Sequence, residues 1–124
     1  MNTACVVEKQ RAFFRAGNTL PLAFRHEALK KLYAAIKHRE EDLQQALCHD
    51  LGKSSAEAFM CEIGLTLSEI SYVRRHLNRW ARDVRKPTPL TNFPALDRIV
   101  QEPYGVVLVM SPWNYPVLLT LEPL

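Results

Sequence analysis

The chain has 124 residues, 48% of them hydrophobic and 23% charged, with a formal net charge of +3. That length holds one domain of ordinary size with a real core, and so modest a charge does not mark a nucleic-acid binder. The first residues carry Glu8, Lys9 and Arg11 without an apolar run, so they are not a signal peptide.

Residues 3–16 read as a first helix, with Val6 or Val7, Phe13 and Phe14 on its apolar side and Gly17 as its stop. After a Gly17-Asn18-Thr19 turn, Pro21 suits the first position of a second helix, where its missing N–H costs nothing. Over residues 22–39, Ala28, Leu29, Leu32, Ala35 and Ile36 fall at three- and four-residue steps on one face. Arg25, Lys30, Lys31, Lys37 and Arg39 provide most of the other. Glu40, Glu41 and Asp42 then place acids in the first turn of a third helix, where they favour the dipole. Leu43, Leu47 and Leu51 mark its face, and Gly52 ends it.

Ser54 and Glu57 have the spacing of a capping box and open the longest helix. Its stripe is Phe59, Ile63, Leu67, Ile70, Val73, Leu77 and Trp80, as expected of a helix buried along one side by other helices or a partner subunit. Gly64 interrupts it at about 1 kcal/mol relative to Ala, which suggests another backbone packed close by; a break into two helices is the alternative. The helix end is basic, with Arg74, Arg75, Arg79, Arg82, Arg85 and Lys86 against Asp83. Without aromatic interleaving this reads as a solvated face favouring the dipole rather than a phosphate site. Residues 87–94 are a proline-rich extended connector, and residues 98–102 read as a short strand.

The three cysteines, Cys5, Cys48 and Cys61, show no pairing pattern, which fits free buried thiols in a reducing cytoplasm. Cys48-His49-Asp50 invites a metal reading, but no second ligand pair follows at zinc spacing. His26, His38, His49 and His76 lie on helices without a partner pattern and default to the surface.

Residues 106–110 form an unbroken apolar run with Gly105 before it and Ser111-Pro112 after it. Such a run predicts a strand buried on both faces, ended by Pro112, which has no N–H for the ladder. Pro116 fixes φ further on, so Trp113-Asn114-Tyr115 becomes a stiff loop at the strand's carboxyl end. Ligands bind at that end in open α/β sheets. Asn114 offers two uncharged N–H donors there. Taken alone, the same residues read as two buried aromatics and a turn former. Residues 105–121 lack charge and approach the length of a membrane span, but two prolines, an asparagine and a glycine argue against one.

The run from Glu102-Pro103-Tyr104-Gly105-Val106-Val107 to Pro112-Trp113-Asn114-Tyr115-Pro116 resembles a segment of the aldehyde dehydrogenase superfamily. A Trp-Asn pair between two prolines makes the match specific. It is most similar to the short class 3 branch, which includes fatty and aromatic aldehyde dehydrogenases. The resemblance covers the whole chain, more weakly at Leu20-Pro21-Leu22 with Phe24-Arg25, at Asp50-Leu51-Gly52-Lys53 and at Ser68-Glu69-Ile70.

The resemblance implies an α/β family fold. Here that means a mostly helical piece of about four helices, then two short strands, the second being the first strand of the cofactor domain's parallel sheet. It implies a helical scaffold at 1–86, a connector and oligomerisation strand at 87–104, and the start of an NAD(P)-binding domain at 105–124. Family enzymes oxidise an aldehyde to an acid through a cysteine thiolate, hydride transfer to NAD or NADP, and hydrolysis by a glutamate-activated water. Asn114 matches the oxyanion-hole asparagine. Ser111, Pro112 and Trp113 match the loop against the nicotinamide, and Tyr115 matches the aldehyde tunnel wall. The family's cysteine and glutamate have no counterpart in these residues, and the scattered Gly17, Gly52, Gly64 and Gly105 make no phosphate loop. The expectation is therefore the N-terminal portion of a cytoplasmic enzyme, a homodimer or higher oligomer when complete and inactive alone, with no metal. The alternative is a helical interaction module or a decayed gene product without catalysis.

Overall fold

The structure, a computed structural model, describes residues 2–124. Helix α1 (Thr3–Arg15) begins where the Asn2 side chain accepts the N–H of Ala4 at 3.0 Å. Helix α2 (Leu22–His38) begins one residue later than expected. Pro21 keeps an extended ψ of 128° and caps the helix, its carbonyl accepting the N–H groups of Phe24 and Arg25. Helix α3 (Glu40–Leu51) follows almost without a gap. Lys37 and Glu40 bridge that junction at 2.7 Å, and the Glu40 carboxylate, first through this hydrogen bond and then through its charge, raises the Lys37 pKa above the ordinary lysine value. Gly52, in the left-handed region at φ 67°, closes α3.

Ser54 caps α4 (Ser55–Ala58), its hydroxyl oxygen accepting the Glu57 N–H at 3.2 Å. The helix continues through a π turn (Phe59–Ile63) into α5 (Gly64–Trp80). The Gly64 N–H donates to the Phe59 carbonyl five residues back. A methyl group at Gly64 would lie 2.9 Å from that carbonyl oxygen. Gly64 therefore makes room for a wide turn of its own helix, not for the neighbouring backbone the sequence suggested.

Past Trp80 the chain leaves the helix, so Arg85 and Lys86 belong to a strand and not to a basic helix end. Strand β1 (Val84–Lys86) pairs antiparallel with β2 (Asp97–Ile99), Val84 opposite Ile99 and Lys86 opposite Asp97. This ribbon straddles residue 86, and its second strand stops short of residue 102. A 3₁₀ turn (Leu90–Asn92) interrupts the connector.

Among the described residues, 106–110 form no strand. A strand exists through its neighbour's hydrogen bonds, and among the described residues no strand pairs with this run. Its side chains are correspondingly not buried on both faces: Leu108 is 81% exposed and Met110 85%. Instead the chain ends in an unexpected helix, α6 (Pro116–Leu121), with Pro116 at its first position. Taking α4 to α5 as one helix, the described residues make five helices and a two-stranded ribbon, mostly helical as expected.

The core is Ile36 of α2, Leu47 of α3, Ala58, Ile63, Leu67 and Ile70, with Leu29, Leu32, Tyr33 and Leu43 packed around it. Val117 and Leu121, one turn apart on α6, cover the same cluster. The expected stripe of the long helix is buried in its middle, while Phe59 and Trp80 at its ends are exposed. Helix α1 buries no residue. Phe13 meets Phe24 at 5.7 Å between ring centroids, and Phe14 lies against the backbone of Gly105. Gly105, at φ 93°, holds a conformation that L side chains rarely adopt.

Candidate active site

The loop that carries Ser111 to Tyr115 is tied to the scaffold at both ends. On its downstream side, α6 docks through Val117 and Leu121. On its upstream side, the Ser111 and Thr120 hydroxyls lie 2.6 Å apart and share a hydrogen bond, drawing the loop's start to α6. Between them Pro112, Trp113 and Asn114 are exposed, Trp113 at 89%. Tyr115 is less open, at 38% exposed.

Two residues to which the sequence reading gave no role at this site hold the loop from beneath. Lys53, in the turn after α3, and Glu62, in the π turn, have side chains 9% and 0% exposed. The Lys53 ammonium donates to Glu62 Oε1 at 2.6 Å and to the backbone carbonyl of Asn114 at 3.0 Å. It also sits 4.1 Å from the centroid of the Tyr115 ring, a cation–π distance. The other carboxylate oxygen, Glu62 Oε2, accepts the N–H of Val117 at 2.8 Å and that of Leu118 at 3.4 Å. Those amides open α6, where a helix has no partner of its own to offer them.

The result is a loop with its backbone engaged and its Asn114 side chain outward. Among the described residues no hydrogen bond ties down the Asn114 carboxamide, so its N–H groups remain free to donate. The expected site residues are thus neighbours, but the strand meant to present them is not formed. Helix α6 and the Lys53–Glu62 pair take its place. A signal for Glu62 was present: a carboxylate beside Ile63, on the buried side of an apolar helix, requires a partner. Which partner was not readable, because Lys53 and Val117 approach it from separate elements.

Other features lie apart from this loop. An apolar groove of about 380 Å³, lined by Phe14, Phe24, Leu29, Ile70, Val73 and Leu121, opens between α1, α2, α5 and α6. Cys5 and Cys48 are exposed and Cys61 partly so, which corrects the expectation of buried thiols. His26 and His76 are half-buried rather than at the open surface. His26 Nε2 lies 3.0 Å from Asn78 Oδ1, and His76 packs against both Tyr72 and Trp80, whose rings also meet each other at 5.7 Å. Among the described residues there is no cluster of metal-ligating side chains, and no helix is long and apolar enough to cross a membrane.

Residues 2–124 match the aldehyde dehydrogenase family. The chain is 46% identical over 114 residues to the 4,4'-diaponeurosporen-aldehyde dehydrogenase of Staphylococcus aureus (strain NCTC 8325 / PS 47), covering 92% of this chain and 25% of that protein. It is 40% identical over 121 residues to the dimeric NADP-preferring aldehyde dehydrogenase of Canis lupus familiaris, covering 96% of this chain and 26% of that protein. Among solved structures, the substrate-bound state of Staphylococcus aureus AldH superposes with a TM-score of 0.92 at 44% identity, over 99% of this chain and 27% of that one. The chain spans about a quarter of the length of the curated relatives it matches.

Proposed function

This chain belongs to the aldehyde dehydrogenase family, and from that premise we propose that it supplies the oxyanion-hole asparagine of an enzyme oxidising aldehydes to carboxylic acids. One observation carries the reading: the Asn114 backbone is engaged by Lys53 from behind while its carboxamide points free of the protein's own hydrogen bonds. When a thiolate adds to the aldehyde carbon, the C–S bond forms and the carbonyl electron pair moves onto oxygen. An amide N–H of Asn114 donates to that oxygen as its charge develops. A donor aimed at developing charge is among the most effective catalytic groups, and it requires no proton transfer.

NAD or NADP, when bound, accepts the hydride released from that carbon. Ser111, Pro112 and Trp113 fit the nicotinamide end of such a cofactor. All three are uncharged, and the largely exposed Trp113 indole suits a flat cationic ring. Tyr115 forms part of the aldehyde's passage. The nucleophilic cysteine and the water-activating glutamate belong to residues outside 1–124, and Cys5, Cys48 and Cys61 take no catalytic role.

The reading extends to assembly. A two-stranded ribbon is marginal by itself, and β1–β2 has two open edges with Leu90, Phe93 and Leu96 exposed beside it, which supports association into a homodimer or larger homo-oligomer. Three free thiols support a reducing, cytoplasmic setting. The organisation proposed is a helical scaffold over 1–86, an oligomerisation segment over 87–104, and the opening of the cofactor domain over 105–124.

The test is Asn114→Ala in the full-length gene product. Turnover falls by roughly two to three orders of magnitude while cofactor Kd is unchanged. Unchanged turnover rules the role out.

A further inference from the structure

We infer that the buried Lys53–Glu62 pair is a positioning device that sets where the Asn114 carboxamide points, an inference that rests on the oxyanion reading of that residue. The pair grips the chain on both sides of one short stretch. Lys53 holds the carbonyl of Asn114, and Glu62 holds the N–H of Val117. Pro116, with its φ locked by its ring, lies between the two grips. Fixing both ends of so short and stiff a segment leaves little freedom at the Asn114 Cα, from which the donor projects.

Stability alone does not account for the pair. Desolvating two charges roughly cancels their attraction, so a buried ion pair adds little that an apolar pair of the same volume would not. Orientation does account for it. Charge-assisted hydrogen bonds are short and directional, about twice as strong as neutral ones. Lys53 has three N–H donors, and the structure gives each a target: Glu62 Oε1, the Asn114 carbonyl and the face of the Tyr115 ring. Glu62 divides its two oxygens between Lys53 and the opening amides of α6. An apolar pair would fill the same space without choosing a loop conformation. The contact with Tyr115 adds a second consequence, since the residue proposed for the aldehyde's passage is oriented by the same ammonium.

The test is a double-mutant cycle on the full-length gene product, with steady-state kinetics and melting temperature read for each variant. Lys53→Met alone leaves Glu62 buried and unpaired and risks misfolding. Lys53→Met/Glu62→Gln removes both charges, keeps an amide oxygen for Val117, and so carries the test. This paired variant lowers kcat by roughly 10- to 100-fold, as expected when a catalytic group is displaced by about an ångström, with cofactor Kd unchanged. In an Asn114→Ala background the same pair of substitutions costs less than about threefold, because the group being positioned is gone. A kcat loss repeated in full in that background overturns the inference and leaves the oxyanion reading standing. So does a paired variant with wild-type kcat. If Asn114→Ala itself leaves turnover unchanged, the oxyanion reading fails first and the inference falls with it.

Discussion

Glu62 and Val117 are joined across 55 residues of sequence by a 2.8 Å hydrogen bond, from the first N–H of α6 to a carboxylate with no exposed surface. That bond connects the helical scaffold to the loop carrying the proposed catalytic donor. Because its acceptor is also paired with Lys53, the scaffold's stability and the loop's geometry depend on the same two side chains.

Glu62→Ala leaves the Lys53 ammonium buried without its counter-charge and removes the acceptor for Val117. Breaking one half of a buried pair costs about 3–5 kcal/mol, whereas Lys53→Met/Glu62→Gln costs far less. Urea unfolding of the two variants measures the difference. Equal losses would mean that the pair is not formed in solution.

Gly64→Ala separates two opposite expectations. Helix propensity alone predicts a gain of about 1 kcal/mol on replacing a mid-helix glycine. The π turn predicts a loss of about 1–3 kcal/mol, because the new methyl group meets the Phe59 carbonyl oxygen at 2.9 Å, and backbone does not yield as a side chain does. The sign of the shift in denaturation midpoint decides between them.

Gly105→Ala destabilises by about 1–2 kcal/mol, since φ 93° is unfavourable for any residue with a Cβ. The added methyl group also meets the Phe14 ring at 3.3 Å. Clearing that ring with Phe14→Ala relieves the contact and leaves the backbone penalty. Gly105→Ala should therefore remain destabilising when introduced into Phe14→Ala, and calorimetry of the four proteins shows whether it does.

The helices were readable from sequence because what makes them is local. Three acids opening α3, Gly52 closing it and Ser54 capping α4 each act within a turn or two of chain, and periodic leucines need no knowledge of what covers them. The family resemblance was readable for a different reason, as an ordered run of residue types around Asn114. Residues 106–110 carry the composition of a strand without forming one, because β-branched composition records a preference for a sheet but supplies no neighbouring strand. Helix α6 is not legible in the sequence because Pro116 suits a stiff loop and the first position of a helix equally well.

Four helical segments, the family and the amide to suspect are legible in the order of residues alone. Tertiary structure alone decided how that amide is held. Lys53, Glu62, the Asn114 carbonyl and the Val117 N–H come from four separate elements. Nothing in the spacing of residues 61 positions apart states that their atoms lie within 3.0 Å. The cost of burying a charge requires that Glu62 have a partner, and only the folded packing of α6 over the helical core determines which one.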